Sequence, residues 1–328
     1  MENIPRICIV GAGAIGCTLA ARLGTAGHAV SVLARGATLA ALREHGVVLH
    51  DLDGEHRVQV QAHDDCAALG TQDLVFVCTK APALAGLLPS LAPLLGPDTV
   101  VVPVVNGVPW WYFHGEAGRF AEHRVESVDP GGALSQALDL DRILGCVVFI
   151  TAEVESPGVA RSANPHLMIL GEPGNALSPR LEWARRLVES AGIEARGSDR
   201  IRDSLWTKII ANLTSNPLSV VTGATLEQLY SHPELKTLVS KMLNEALLTA
   251  AAYGARVSID PQTFMGLGAG MGAVRTSMLQ DFEHGRPLEL QAIGDAVVEL
   301  AGYQGLSMPV TQDILALARF RAQAPASH

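Results

Sequence analysis

Cysteine is scarce in this chain: five residues in 328, Cys8, Cys17, Cys66, Cys78 and Cys146. The number is odd, no CxxC occurs, and most lie in apolar strand-like runs, which argues against both a disulfide framework and a thiolate metal cluster. Reduced core thiols in a cytoplasmic protein are expected. His45, His50, His56 and His63 are scattered through a hairpin-like region without HExxH spacing, so no metal site is expected. Basic charge is also short, with 24 Lys and Arg against 33 Asp and Glu, a net charge of −9. Phosphate-backbone binders carry a basic surplus, so nucleic acid is not an expected partner. No apolar run approaches the ~20 residues of a membrane span; Thr99–Val105 is short and broken by Pro103. A strand-like run begins at Arg6, which leaves no room for a signal peptide. The 32 glycines and 18 prolines follow no period, which excludes collagen-like and low-complexity classes.

What remains is an ordinary globular composition, 48% hydrophobic and 17% charged, in a chain long enough for two domains. The first half alternates strands and helices. Ile7–Val10, Ala29–Leu33, Leu74–Cys78 and Thr99–Val105 read as strands. Ala14–Ala26, Ala37–His45 and Pro82–Leu95 read as helices. Val47–Leu52 and Arg57–Gln61 flank Asp53-Gly54, a hairpin signal. An irregular stretch, Pro109–Arg142, is rich in aromatics and glycine. Strands then resume at Cys146–Val154, Val159–Ser162 and Leu167–Leu170, followed by a helix at Pro179–Ala191 and a short strand near Ile193–Ala195. From Arg200 to Gln323 the periodicity is helical. The expected fold is therefore α/β, with an N-terminal Rossmann-type domain over residues 1–198 and an all-helical domain over 199–328.

Gly11-Ala12-Gly13-Ala14-Ile15-Gly16 follows the first strand and opens the first helix. Gly11 permits the tight turn, Gly13 lets backbone approach a pyrophosphate, and Gly16 lets helix pack on strand. The helix N-terminus offers N–H groups and partial positive charge to the phosphates. An acid at the end of the second strand would bind the ribose hydroxyl of NAD. The sequence there is Leu33-Ala34-Arg35-Gly36, and Arg35 stands where it could meet a 2′-phosphate, so NADP is favoured. Lys80, taken to end the apolar strand Val77-Cys78-Thr79-Lys80, is a second candidate cation. Taken singly, either reads equally well as a solvated surface charge.

In the helical half, Lys208, Asn212 and Asn216 are spaced i, i+4, i+8 and so share one face. Their neighbours Trp206, Ile209, Ile210, Ala211 and Leu213 are apolar, the pattern of a buried helix. A buried polar stripe needs partners, which a bound substrate or a wet cleft would supply; a solvated face is the alternative. Hydride delivery to a ketone leaves an alkoxide, which a lysine ammonium can stabilise and protonate. By spacing alone, Ser277 and Glu289 read as surface residues.

Taken together, GAGAIG, Arg35, Lys80, the Asn106-Gly107 pair, WTKIIANLTSNPLS, SMLQDFEHGRPLE and Met308-Pro309-Val310 resemble the ketopantoate reductases (2-dehydropantoate 2-reductases), in the family's order and over most of the chain. The resemblance implies a two-domain enzyme that uses NADPH to reduce 2-dehydropantoate, a small anionic 2-oxo acid, to (R)-pantoate on the route to pantothenate and coenzyme A. It implies Lys208 as the catalytic lysine, Asn212 and Asn216 as substrate-binding asparagines, and Ser277 as a serine holding the substrate. Glu289 matches an acid at the nicotinamide end of the site, Asn106 a cofactor contact, and Ala152 a backbone contact. It also implies a homodimer. Two departures stand out. A third substrate asparagine is missing from Thr222–Glu227, and the usual Asn-Gly pair after Glu289 reads Gly294-Asp295. The run Val108-Pro109-Trp110-Trp111-Tyr112-Phe113 leads into an aromatic insertion that bears on which acid is accepted.

Overall fold

A computed structural model describes residues 4–323. The chain forms two compact units. The first comprises the chain up to Val105 together with Phe113–His123 and Gly132–Ile201. The second comprises Asn106–Tyr112, Arg124–Gly131 and the chain from Arg202 onward. Two short segments of the irregular stretch thus pack with the helices rather than with the sheets.

The first unit is α/β. Strand β1 (Arg6–Val10) leads into α1 (Ala14–Thr25), β2 (Ala29–Leu33), α2 (Gly36–His45), the hairpin β3 (Val47–Asp51) and β4 (Gly54–Val58), β5 (Gln61–His63), β6 (Gln72–Val77), the single turn α3 (Leu84–Leu87) and β7 (Leu95–Pro103). A five-stranded parallel sheet has the order β5-β2-β1-β6-β7. Its strands are near-continuous apolar runs because helices cover parallel strands on both faces; Ile7, Ile9, Val32, Leu74 and Phe76 are all inaccessible. After α4 (Ala133–Ala137) come β8 (Gly145–Phe149), β9 (Ala152–Ser156), β10 (Val159–Ser162), β11 (Leu167–Gly171), α5 (Pro179–Ser190) and β12 (Glu194–Ser198). These complete a four-stranded sheet, β4-β3-β10-β9, and a three-stranded one, β12-β11-β8.

Two expectations need correction here. The helix expected over Pro82–Leu95 is broken into 3-10 turns at Ala81–Ala83 and Leu88–Leu94 around α3. Pro89 and Pro93 lack the N–H that a continuous α-helix uses. The strand expected over Cys146–Val154 is two strands in two different sheets, interrupted at Ile150-Thr151.

The second unit is helical among its described residues: α6 (Ile201–Thr222), α7 (Leu226–Ser231), α8 (Pro233–Ala252), α9 (Pro261–Gly270), α10 (Ser277–Glu283), a π turn at Gln291–Asp295 running into α11 (Ala296–Tyr303), and α12 (Pro309–Gln323). Val220, Met278, Leu290, Ile293, Leu315 and Ala318 form one of its apolar clusters. Among the described residues, no helix is long and apolar enough to cross a membrane.

Candidate active site

In the first unit, the glycine loop joins β1 to α1. Gly11 adopts φ +100°, a conformation that favours glycine, and a Cβ there would lie 2.7 Å from the Thr79 methyl. A Cβ on Gly16 would lie 1.9 Å from the Gly11 carbonyl oxygen. A Cβ on Gly13 would meet nothing within 4 Å. Two glycines are therefore demanded by packing, and the third fronts open space. Gly13 is the N-cap of α1 and supplies no side-chain acceptor, so the first N–H groups of the helix are left for an anion. Ala12, Ala14 and Ile15 complete this turn, and the Cys17 thiol donates to the Ala12 carbonyl at 3.4 Å. Thr79 was not expected: its hydroxyl is buried beside this turn without a hydrogen-bond partner among the described residues. Its position after the strand next to β1 was the available signal.

Arg35 follows β2 and is the N-cap residue of α2, exposed, and its guanidinium has no ion pair or hydrogen bond among the described residues. Lys80 does not end the strand as expected. Strand β6 stops at Val77, and Lys80 is the exposed residue that opens the next 3-10 turn. Strands β2, β1 and β6 are neighbours in one parallel sheet, so the glycine loop, Arg35 and Lys80 all follow carboxyl ends of adjacent strands, the usual place for a ligand. Ala152 instead opens β9 of the four-stranded sheet.

In the second unit, Lys208, Asn212 and Asn216 lie on α6. Lys208 and Asn212 are partly exposed, and Asn216 is 3% exposed. The carboxamide oxygen of Asn216 accepts from the Ser215 hydroxyl at 3.2 Å. Its Nδ2 is buried with no partner among the described residues, a cost of order 1–3 kcal/mol unless a ligand or water relieves it. Pro217 sits inside the helix and lacks the N–H that would bond the Leu213 carbonyl, which weakens the ladder beside Asn216. The next turn is tied to α10. The Ser219 hydroxyl donates to the Asn216 carbonyl at 2.7 Å and shares a 2.6 Å hydrogen bond with Thr276 Oγ1. Thr276 caps α10 by accepting from the Leu279 N–H. Ser277, the first residue of α10, is exposed.

Glu289 is not the surface residue its spacing implied; it is 7% exposed and stands immediately before the helix that widens into the π turn. The chain reaches it through a turn in which Arg286 N–H donates to the Asp281 carbonyl at 2.8 Å. Such widened turns recur at functional sites. Asn106 is half-buried and belongs to the same unit as Lys208 and Glu289. No cluster of three or more metal-type ligands occurs among the described residues.

Comparison with known proteins decides the family. The description "Ketopantoate reductase PanE/ApbA" matches residues 7–175, and its C-terminal counterpart matches residues 200–322. The chain belongs to the ketopantoate reductase family. A curated 2-dehydropantoate 2-reductase from Mesorhizobium japonicum is 39% identical over 315 residues, 96% of this chain and 97% of that one. A solved structure from Ralstonia solanacearum MolK2, described as that of a ketopantoate reductase, has 41% identity and a TM-score of 0.93 over 98% of both chains. The fold alone is shared with a D-mandelate dehydrogenase solved with NADH and anilino(oxo)acetate, at 20% identity and TM-score 0.82, over 97% of this chain and 98% of that one. As a ketopantoate reductase family member, the protein is an oxidoreductase with a Rossmann-type first unit.

Proposed function

We propose that the protein reduces 2-dehydropantoate to (R)-pantoate with NADPH, a step toward pantothenate and coenzyme A. The observation that carries the substrate half of this reading is the buried, unpartnered carboxamide N–H of Asn216, on the face of α6 that also bears Lys208 and Asn212. The family match supports it over nearly the whole chain. The nucleotide half rests on fit. Open space over Gly13, between glycines that tolerate no side chain, suits a pyrophosphate, and the unengaged Arg35 suits a 2′-phosphate.

When bound, the nicotinamide supplies a hydride to the 2-oxo carbon. Lys208 stabilises the developing alkoxide and donates the proton that completes the alcohol. Asn212, Asn216 and Ser277 orient the carbonyl and carboxylate. Glu289 keeps the ammonium charged and aimed. Asn106, Lys80, Ala152 and the residues of the turn Gly11–Gly16 are assigned to the cofactor. The exposed Leu317 and Phe320 on α12 are apolar surface that a second copy would cover, so a homodimer is part of the reading, checked by light scattering. Placement of Trp110, Trp111 and Tyr112 in the unit of Lys208 favours a second reading, the same chemistry on a differently shaped 2-oxo acid.

The test is a steady-state assay with NADPH and a panel of 2-oxo acids, on the parent protein and Lys208→Ala. Turnover should be highest with 2-dehydropantoate. The variant should keep NADPH affinity and lose roughly 10²–10⁴-fold in kcat. A Lys208→Ala protein within tenfold of the parent overturns the lysine mechanism. Tight NADPH binding without turnover of any acid overturns the enzyme reading in favour of a nucleotide sensor.

A further inference from the structure

The segment Gly107–Tyr112 is held at both ends within the helical unit. At its start, Gly107 has φ +83°, and a Cβ there would lie 2.3 Å from the Ala292 carbonyl oxygen. That same carbonyl accepts from the Val108 N–H at 2.8 Å. Ala292 lies in the π turn that follows Glu289, and the Ile293 N–H donates to the Glu289 carbonyl at 3.0 Å. At the far end, Tyr112 is 1% exposed and sits against α6. Its hydroxyl accepts from Trp206 Nε1 at 2.8 Å, and its carbonyl accepts from Arg202 Nε at 2.8 Å. The Arg202 guanidinium lies 5.6 Å from the centre of the Tyr112 ring. The ring also meets Trp206 and Tyr253 edge-on, with centroids 6.4 and 5.9 Å apart. Between the two ends the Tyr112 N–H donates to the Pro109 carbonyl at 3.1 Å, closing a turn.

We infer that Tyr112 is a positioning residue. It makes this segment a strap that fixes the turn after Glu289 relative to the helix that carries Lys208. Trp206 precedes Lys208 by two residues, and Ala292 follows Glu289 by three. The strap is therefore a short, buried link between the two residues assigned to the proton transfer. Asn106, at its head, is carried by the same link. The inference rests on the reading of Lys208 and Glu289 given above, and adds that their spacing is set by a residue outside the set assigned to the proton transfer. The buried Arg202 reinforces the anchor, since a guanidinium is costly to bury without such partners.

The experiment perturbs the strap from each end and reads the other end. Tyr112→Phe keeps the ring and removes the hydroxyl, which strands the Trp206 indole N–H. Gly107→Ala pushes the strap off the Ala292 carbonyl. Hydrogen–deuterium exchange of the intact protein should show faster uptake at residues 289–297 in Tyr112→Phe, and at residues 203–212 in Gly107→Ala. With 2-dehydropantoate, kcat of Tyr112→Phe should fall about ten- to hundredfold, as expected for misplaced reacting groups. Exchange that changes only at the mutated end, in either variant, overturns the inference whatever turnover shows. So does altered exchange with an unchanged kcat. A parent protein that reduces no 2-oxo acid overturns the functional reading instead, and the exchange result still judges the strap.

Discussion

A pair of single-methyl substitutions in the glycine loop separates folding from nucleotide binding. In Gly16→Ala the added carbon would stand 1.9 Å from the Gly11 carbonyl oxygen and 3.2 Å from Ile9 Cγ2. Ordinary contact begins at 3.4 Å, so the shortfall is about 1.5 Å against backbone. No rotamer relieves it; α1 must move off β1. Overpacking of this kind costs ~1–3 kcal/mol, and a backbone obstacle puts it at the upper end. At about 2–4 °C per kcal/mol for a domain of this size, the melting temperature should fall by roughly 6–12 °C. Gly13→Ala has no such obstacle. Its φ of −78° and ψ of −168° suit alanine, and a Cβ meets nothing within 4 Å. Alanine is a poorer N-cap than glycine, but it restricts the unfolded chain and regains about 0.4–1 kcal/mol. The melting temperature of the free protein should therefore barely move. The methyl fills the space proposed for the pyrophosphate, and losing one charge-assisted hydrogen bond, worth ~1.5–3 kcal/mol, raises the NADPH Kd about 10–150-fold. Thermal melts without nucleotide and a fluorescence titration with NADPH read the two effects. A Gly13→Ala protein that binds NADPH as the parent does would refute the placement of the phosphates. A Gly16→Ala protein that melts with the parent would refute the packing argument.

The parts of this molecule legible in the sequence are those that repeat locally. Strands β1 and β6 declare themselves as unbroken apolar runs because a parallel sheet is covered on both faces. The Lys208, Asn212 and Asn216 stripe declares itself because one face of a helix recurs every three or four residues. The break in the helix expected at Pro82–Leu95 was missed although Pro89 and Pro93, which cannot continue a hydrogen-bond ladder, were its local signal. Other features had no local signal. Glu289 is buried just before a π turn, and no periodicity announces one. Val108 and Ala292 are bonded although they stand 184 positions apart in sequence, so the attachment of residues 106–112 to the helical unit is a purely tertiary fact. The orphaned Thr79 hydroxyl is another: its neighbour Gly11 is 68 positions away in sequence.

The remaining predictions bear on charge and protonation. Arg35→Ala should weaken NADPH by ~1.5–3 kcal/mol and leave NADH affinity unmoved; equal losses for both nucleotides would show that Arg35 does not read the phosphate. Burial alone would raise the pKa of Glu172, but Arg180, bonded to it at 2.8 and 2.5 Å, and the Ser178 hydroxyl hold it below the ordinary carboxylate value. Its stabilisation is present above that ordinary value and lost as pH falls through the lower folded one, so Glu172→Gln should cost about 1–2 kcal/mol at neutral pH and the gap should close in acid denaturation series. The alkaline limb belongs to the thiols. Burial pushes Cys8 and Cys17 from 9.0 up to about 12, so both stay protonated in the folded chain while the unfolded chain begins to ionise near pH 9. The unfolded state then binds fewer protons, and stability falls with rising pH by about 1.4 kcal/mol per unit for each thiol between the two values. Cys17→Ala removes one of these groups without adding a polar atom. Urea unfolding at steps between pH 9 and 11 should show a shallower loss of stability in that variant, by close to one thiol's share. If parent and variant lose stability in parallel, Cys17 ionises as freely in the folded protein as in the unfolded one, and the burial argument for the thiols around α1 fails.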